Sequence, residues 1–371
     1  MRIVRLEPGR SSYERGAAHG ESLRREIAEI AAIRSELCRS QGLFRSDEEL
    51  LRVAELHLPV LERYDLPLHE ELQGIAAGSG QSAARIVVLN HYTDLKDLDP
   101  STVLRGASFS GPAGEMEDDC SAIVASTAEG GLLGQTWDMH GSAAPYVVAL
   151  HVPRLEDRPE CWLLSIAGCL GMAGMNELGV GITINNLRSN DARIGLVWPA
   201  LVRRVLVERT AEAGRKIVAS APLGSGHHYL VADAQQAFGI ETSGRLADTW
   251  MHLDLSEPGR AFHHENHCLG EKIAAVSSIS PVSTTLERHA WLEKSLAEAP
   301  LRGRDDLWQR LGSHEGFPRS ICTHLASASA PHAMQTCAGI VMNLRERKMW
   351  AVAGCVHEGH PEELVYEGAR A

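Results

Sequence analysis

The sequence lacks any stretch of apolar residues close to the roughly 20 that a membrane-spanning helix needs. Its first residues, MRIVRLEPGRSSYERG, contain no apolar run of the secretory type. It also lacks an excess of positive charge, since the formal net charge is -12. That charge disfavours binding to nucleic-acid phosphates and to anionic membrane surfaces. These absences predict a cytoplasmic protein that binds neither nucleic acid nor a membrane.

The eight cysteines form no CxxC pair, so neither a zinc ribbon nor a dithiol redox motif is present. No glycine-rich phosphate-binding loop of the P-loop or Rossmann type is present either. In a reducing compartment, dispersed cysteines of this kind are mostly buried thiols. The sequence therefore predicts no resident cofactor, and a catalytic role for any one cysteine has to come from its surroundings.

Helical periodicity dominates the first third of the chain, where apolar residues recur at steps of three and four. Helices are predicted over 12–40, 47–64, 66–80 and 82–95. Asp47 and Ser82 are the predicted N-caps of the second and fourth of these helices. A loop rich in glycine, serine and acidic residues follows over 108–119, and its composition predicts a flexible, exposed segment.

From Cys120 onwards the chain changes to short β-type segments separated by glycine or proline. Strands are predicted at 120–126, 130–140, 145–153, 161–168 and 179–187, and hairpins over 227–243 and 336–354. Helices are predicted at 199–220, 285–299 and 303–314. Because local hairpins dominate, we expect mostly antiparallel sheets enclosed by helices.

Several motifs, taken in their order along the chain, resemble one family. They are RGAAHGESLRREI, DDCSAI, LLGQTWDMH, GMNELGVGITINNL, HHENHCLG, SICTHLA and AGIVMNLRERKMWAVAG. Together they resemble the acyl-coenzyme A:6-aminopenicillanic acid acyltransferase family, the C45 group of N-terminal-nucleophile (Ntn) hydrolases. The resemblance implies an α+β fold, a four-layer αββα sandwich, with a mainly helical precursor segment over 1–119 and the Ntn-type domain over 120–371.

The resemblance implies that Cys120 is the nucleophile. A thiol has a pKa near 8.5, whereas an α-amino group has a pKa of about 7.7–8.0, so an N-terminal cysteine carries its own general base. Many family members cleave themselves just before this cysteine, which implies cleavage between Asp119 and Cys120 into two fragments that stay associated as a heterodimer. The family commonly has glycine at the position of Asp119, and glycine tolerates strained backbone more readily than aspartate.

Further site residues are implied by the same resemblance. Asp138 would hold the amino group or orient the thiol of Cys120, and the hairpin joined at EGGLLG would bring the two strands together. Asn185 and Asn266 would stabilise the oxyanion of an acyl-transfer intermediate. The predicted supporting or substrate-binding residues are Gln135, Trp137, Asn186, His267 and Thr323.

Two motifs need separate interpretation. The family commonly has arginine where this chain has Thr323, so a substrate carboxylate is not expected at that place. We expect His324 to take a polar role there instead. The N-terminal motif RGAAHGESL is interpreted as structural, with Arg15, His19 and Glu21 tying the first helix to the sandwich.

The segment FHHENHC supports an alternative reading of the chain. His263, His264, His267 and Cys268 are all metal-type donors, although zinc sites usually draw their ligands from two segments and this cluster is a single one. The leading prediction is therefore a cysteine-nucleophile amide hydrolase or acyltransferase that works through a Cys120 acyl-thioester, without a metal ligand. Its substrate would be a small amide or acyl thioester, coenzyme A thioesters included. The alternatives are a metal-binding protein and an unprocessed, non-catalytic binding relative.

Overall fold

The computed structural model describes residues 1–104, 119–155 and 158–367. Within these ranges the chain forms a nine-stranded sheet and a six-stranded sheet that pack face to face, with helices on both outer faces. This is the four-layer αββα sandwich that the sequence predicted. None of the helices in these ranges combines the length and the apolar character needed to cross a membrane.

The strands and helices are numbered in chain order. The strands are β1 (Arg2–Arg5), β2 (Cys120–Thr127), β3 (Gly130–His140), β4 (Val147–Val152), β5 (Cys161–Ile166), β6 (Ala173–Asn176), β7 (Gly181–Ser189), β8 (Gly226–Ala232), β9 (Gln236–Thr242), β10 (Ala247–Asp254), β11 (Ala261–His264), β12 (Ser277–Ser278), β13 (Met334–Asn343), β14 (Lys348–Ala353) and β15 (Glu362–Leu364). The helices are α1 (Ser12–Ser22), α2 (Arg24–Ser40), α3 (Asp47–Glu55), α4 (Leu58–Tyr64), α5 (Leu66–Ser79), α6 (Ala83–Asn90), α7 (Tyr92–Asp97), α8 (Pro100–Val103), α9 (Trp198–Val205), α10 (Ala211–Ser220), α11 (Glu271–Ala274), α12 (Thr285–Glu298) and α13 (Arg304–Leu311).

The two sheets are built almost entirely from antiparallel neighbours, as predicted. The larger sheet has the order β1-β4-β5-β6-β7-β8-β9-β10, with β12 beside β7, and the smaller has the order β11-β2-β3-β13-β14-β15. Among the described strands, only β1 and β4 pair in parallel. The predicted hairpin of β2 and β3 is present near the centre of the smaller sheet. Every residue of these two strands is buried, because one face meets the other sheet and the opposite face meets helices.

The helix boundaries differ from the prediction in the N-terminal third. The predicted helix over 12–40 is interrupted at Leu23, which separates α1 from α2, and the one over 47–64 divides into α3 and α4. The N-cap of α3 is Ser46, not Asp47, since the Ser46 hydroxyl accepts the N–H of Glu49 while Asp47 already lies in the first turn. The prediction that Ser82 caps α6 is confirmed.

The described part of the N-terminal segment, residues 1–104, is part of the sandwich and shares its core. Strand β1 extends the nine-stranded sheet by pairing with β4. Apolar residues of the N-terminal helices, such as Ile27 and Leu72, share one hydrophobic core with Leu163 and Ile182 of the larger sheet. The predicted division between 119 and 120 therefore separates two segments of one continuous core.

Helices α1 and α5 pack at unusually close range because glycines line their contact. A Cβ on Gly16 would lie 2.0 Å from the carbonyl oxygen of Glu71, and one on Gly78 would lie 2.0 Å from that of Ala17. The motif RGAAHGESL thus supplies close packing, and the N–H of Gly168 also donates to His19 Nε2 at 3.2 Å. This contact ties α1 to the sandwich through His19, as predicted, whereas Arg15 donates to Arg10 and Ser12 within its own segment and Glu21 is exposed.

Substitution of Gly78 by alanine tests this packing. Alanine usually favours a helix over glycine by about 1 kcal/mol, but here its methyl group would force two backbones apart. We expect Gly78→Ala to destabilise the protein by about 1–3 kcal/mol, the range for overpacked interiors. Urea unfolding would measure this loss, and Ala77→Ser, at an exposed position of the same helix, should change little. A stabilised Gly78→Ala protein would contradict the close packing.

Candidate active site

Cys120 is the first residue of β2, and side chains from three other parts of the chain fix its main chain. Its N–H donates to Asn266 Oδ1 at 2.7 Å. Its carbonyl oxygen accepts from the Arg288 guanidinium at 2.8 Å and from Asn185 Nδ2 at 3.0 Å. Because both sides of the residue are held in this way, the cysteine has a defined position at the beginning of the strand.

Asp138 lies beside Cys120 across the β2–β3 hairpin, as the sequence predicted. Cys120 pairs with Trp137, the residue before Asp138. The Asp138 main-chain N–H donates to the carbonyl oxygen of Asp119 at 2.9 Å. This N–H group therefore contacts the carbonyl of the peptide bond that precedes Cys120.

The Asp138 carboxyl group is buried and only partly satisfied. Its Oδ1 accepts from the Thr336 hydroxyl at 2.7 Å, whereas its Oδ2 has no hydrogen-bond partner among the described residues. Burial raises the pKa of Asp138 to about 7, although the Arg288 charge acts in the opposite direction. A carboxyl group with this pKa exchanges a proton readily near neutral pH, which is what a general base requires.

Burial also sets the protonation state of the thiol. It raises the pKa of Cys120 well above the usual range of a cysteine, and the negative charge of Asp138 raises it further. The Asp138 N–H and the Arg288 charge only partly offset these effects. The Cys120 thiol is therefore protonated at neutral pH, and a thiolate would form only where a base accepts its proton.

Arg288, on α12, connects these groups and was not found from the sequence. Its buried guanidinium forms an ion pair with Asp119 at 3.1 Å. It also donates to Asn266 Oδ1 at 3.0 Å and to the Ser121 hydroxyl at 2.9 Å. The surrounding sequence, TLERHAWLEK, has the alternation of charged and apolar residues of any amphipathic helix, so it does not single out this arginine.

Asp119 is buried, which corrects the prediction of an exposed loop at this residue; the rest of that loop, 108–118, lies outside the described residues. Its carboxylate accepts from the Thr284 hydroxyl at 3.2 Å in addition to its ion pair with Arg288. Among the described residues, Arg347 is the only non-glycine residue with a positive φ. The backbone at Asp119 therefore does not need the conformation for which glycine is preferred.

The contacts of Asn185 correct its predicted role as an oxyanion donor. Its Nδ2 donates to two carbonyl oxygens, those of Cys120 at 3.0 Å and His264 at 3.1 Å. Both amide hydrogens are thus used in holding the backbone of the site, and none is left for an oxyanion. The main-chain oxygen of the neighbouring Asn186 accepts from Asn266 Nδ2 at 3.0 Å, so Asn186 supports Asn266 through its backbone.

Gln135 joins the two sheets. Its side-chain amide donates to the carbonyl of Ile184 and accepts the N–H of the same residue at 3.2 Å. Because Gln135 lies on β3 and Ile184 on β7, this paired contact aligns the two inner layers. Gln135 therefore supports the site from within the sandwich, and Trp137 is a buried packing residue of the same strand.

Two further predicted residues are held in local contacts. The buried Thr323 hydroxyl donates to the Ser320 carbonyl at 2.6 Å, and the Thr323 N–H donates to the Thr336 hydroxyl at 2.8 Å. Thr323 therefore helps to hold Thr336, the residue whose hydroxyl contacts Asp138. His267 does not bond to Asn266 directly; both contact the Thr285 hydroxyl, at 2.9 Å from His267 Nδ1 and 2.8 Å from the Asn266 N–H.

The donors of the FHHENHC segment diverge and do not form one metal site. His264 Nε2 contacts Glu241 at 2.9 Å, and His267 faces Thr285. Of the four predicted donors, only His263 lies in a compact group of possible ligands among the described residues. In that group, His263 and His289 flank the buried carboxylate of Glu265, which is also in this segment, at 3.0 and 2.7 Å. Although burial alone would raise it, the hydrogen bonds from the two histidines hold the pKa of Glu265 at about 2.

A four-layer αββα sandwich that presents a cysteine at the first position of an inner strand defines the fold class of Ntn hydrolases. The family model for acyl-coenzyme A:6-aminopenicillanic acid acyl-transferase matches residues 126–356. The chain belongs to this family. It is 27% identical over 320 residues to the acyl-coenzyme A:6-aminopenicillanic-acid-acyltransferase 40 kDa form of Emericella nidulans, covering 83% of this chain and 81% of that protein.

Two solved structures align with this chain at lower sequence identity. A Caenorhabditis elegans N-acylethanolamine-hydrolyzing acid amidase ortholog aligns with a TM-score of 0.41 at 12% identity, covering 61% of this chain and 93% of that chain. A mutant conjugated bile acid hydrolase from Clostridium perfringens aligns with a TM-score of 0.38 at 10% identity, covering 67% of this chain and 97% of that chain.

Replacement of Arg288 by glutamine tests its central position. The change would leave the Asp119 carboxylate buried without its cation, and breaking a buried pair from one side typically costs about 3–5 kcal/mol. We expect a clear fall in the thermal unfolding midpoint of Arg288→Gln, with partial recovery in the double variant Asp119→Asn/Arg288→Gln. Arg302→Gln, which breaks an exposed ion pair with Asp306, is the control and should leave the midpoint nearly unchanged. Equal midpoints for the two arginine variants would show that Arg288 is dispensable.

Proposed function

We propose that this chain is an Ntn-type amide hydrolase or acyltransferase whose nucleophile is Cys120, exposed by self-cleavage between Asp119 and Cys120. The observation that carries the proposal is the position of Cys120 at the start of β2, with its nitrogen on Asn266 and its thiol beside Asp138. After cleavage the same contacts would hold a free α-amino group next to the thiol. Membership of an acyltransferase family agrees with this chemistry.

The proposed cleavage begins with proton transfer from the Cys120 thiol to Asp138, whose Oδ2 has no hydrogen-bond partner among the described residues. The sulfur then bonds to the carbonyl carbon of Asp119, and the negative charge on the oxygen is stabilised by the Asp138 N–H at 2.9 Å. Asp138 returns the proton to the Cys120 nitrogen as the peptide C–N bond breaks. Water hydrolyses the resulting thioester, which leaves a carboxylate on Asp119 and a free thiol and amine on Cys120.

Turnover would repeat this chemistry with an external substrate. The Cys120 α-amino group, with an intrinsic pKa of about 7.7–8.0, would accept the thiol proton. The thiol attacks the substrate carbonyl, the amine or thiol of the substrate leaves with a proton, and water or an amine takes the acyl group from Cys120. The substrate carbonyl would occupy the place left by the Asp119 carbonyl, where the Asp138 N–H is the oxyanion donor in place of the predicted Asn185.

The proposed substrate is a small amide or an acyl thioester. The relative from Emericella nidulans is named for acyl-coenzyme A and 6-aminopenicillanic acid, and transfer from a coenzyme A thioester fits a thiol nucleophile that forms an acyl-thioester. The buried Thr323 offers no charge for a substrate carboxylate. Strand β1 and the shared core would keep the two fragments together as a heterodimer after cleavage.

Intact-mass analysis tests self-cleavage. We expect two fragments from the wild-type protein, the second beginning at Cys120, and a single chain from Cys120→Ala, because only a thiol at this position can attack Asp119. Cys268→Ala, which removes a thiol elsewhere, should give the wild-type fragments. A wild-type protein that stays intact and does not react with an electrophilic thiol reagent at Cys120 would instead indicate a non-catalytic binding relative.

The pH dependence of cleavage tests the role of Asp138. The base must be deprotonated, so the cleavage rate should rise about tenfold per pH unit below the Asp138 pKa and level off above it, and that pKa is about 7. Freshly synthesised precursor, sampled over time by gel electrophoresis, gives the rate. Asp138→Asn should slow cleavage by about 100- to 10,000-fold, whereas Asp306→Asn, a substitution in the exposed ion pair, should keep the wild-type profile. An unchanged profile in Asp138→Asn would remove Asp138 from the mechanism.

A further inference from the structure

Four metal-type donors from three separate segments converge on the helical side of the six-stranded sheet. His314 follows α13, Cys322 and His324 lie in the loop before β13, and Cys355 follows β14. One ligand atom from each residue lies within 4.8 Å of the others. The sequence does not indicate this group, because no two of its members form a familiar spacing such as CxxC.

The distances within the group match the edges of a zinc tetrahedron. With Zn–S bonds of about 2.3 Å and Zn–N bonds of about 2.0–2.1 Å, tetrahedral geometry places two sulfurs about 3.8 Å apart and a sulfur and a nitrogen about 3.5 Å apart. Here Cys322 Sγ lies 3.7 Å from Cys355 Sγ and 3.4 Å from His324 Nε2. Cys355 Sγ lies 3.5 Å from His314 Nε2.

The surroundings of Cys355 and His314 also suit bound metal. The main-chain N–H of Glu358 donates to Cys355 Sγ at 3.4 Å. Such donors stabilise the negative charge that a thiolate ligand carries. The ring of His357 stacks on that of His314 with centroids 4.2 Å apart, which restricts the orientation of this ligand.

We propose that His314, Cys322, His324 and Cys355 form a tetrahedral zinc site. Two thiolates and two neutral imidazoles balance the charge of Zn²⁺, and each thiol releases its proton when the metal binds. Because the protein fills all four positions, the site is structural and leaves none for a substrate. His314, His324 and Cys355 are half-buried, which gives the ion a path of entry.

The site would fix the loop that supports Asp138. Thr323 lies between two of the ligands, and its N–H donates to the Thr336 hydroxyl, which in turn donates to Asp138. Zinc would thereby join this loop to the residues after β14. The metal proposal itself does not depend on the proposed reaction, since metal content can be measured without turnover.

Elemental analysis of the untagged full-length protein, purified with reductant and dialysed against chelator, tests the site. We expect about one zinc ion per chain in the wild type, the stoichiometry of a four-ligand site. Cys322→Ser, Cys355→Ser and His314→Gln should each lower the zinc content at least tenfold. His314→Gln changes a half-buried loop residue, so it reports on the site even where a cysteine variant fails to fold.

Two control variants distinguish this site from other possible metal ligands in the chain. Cys268→Ser removes a thiol outside the group, and His289→Gln disrupts the His263–Glu265–His289 group, so both should retain wild-type zinc. Cobalt added to metal-free protein should produce the visible and near-ultraviolet bands of tetrahedral thiolate coordination, and these should be lost in Cys355→Ser. The proposal is overturned if metal-free wild type takes up neither ion, if zinc persists in the ligand variants, or if the mass without reductant is lower by two hydrogens because Cys322 and Cys355 form a disulfide.

Discussion

The Arg288 guanidinium is the contact on which the rest of the site depends. It is buried, and it binds the carbonyl of Cys120, the side chain of Asn266 and the carboxylate of Asp119. A buried cation is costly unless it is paired and hydrogen-bonded, so these groups must come together for the chain to fold. Because the buried charge of Arg288 requires these partners, it holds Asp119 and Cys120, the two residues of the candidate scissile bond, in place.

Burial of Cys120 and Asp138 explains why the uncleaved chain and the proposed processed enzyme would differ in reactivity. It raises the pKa of Cys120, which keeps the thiol protonated, and it raises the pKa of Asp138 to about 7, which makes that carboxyl a suitable base. The proposed cleavage would add an amino group beside the thiol. The fold would thus supply Asp138 as the base for processing and the new amino group as the base for turnover.

The supports of Asp138 extend across the sandwich in two directions. Gln135 on the same strand bonds to the backbone of β7 in the other sheet, which aligns the inner layers. On the opposite side, Thr336 and Thr323 connect Asp138 to the loop that carries Cys322 and His324. A zinc ion bound to Cys322 and His324 would make this loop rigid. The Asp138 carboxyl group would then be positioned both by the contact between the sheets and by the metal.

The sequence by itself determined the main helical segments, many of the strands and the β2–β3 hairpin, because periodicity and turn residues are local properties. It missed short strands such as β1, β6 and β11. The roles expected of Cys120 and Asp138 came from the resemblance to a family. The sequence did not determine the role of Arg288, the contacts that occupy Asn185, or the convergence of His314, Cys322, His324 and Cys355. These depend on which distant segments meet, and only the packing of the two sheets and their helices brings them together. Local patterns specify elements, whereas burial and long-range contacts decide what each polar side chain does.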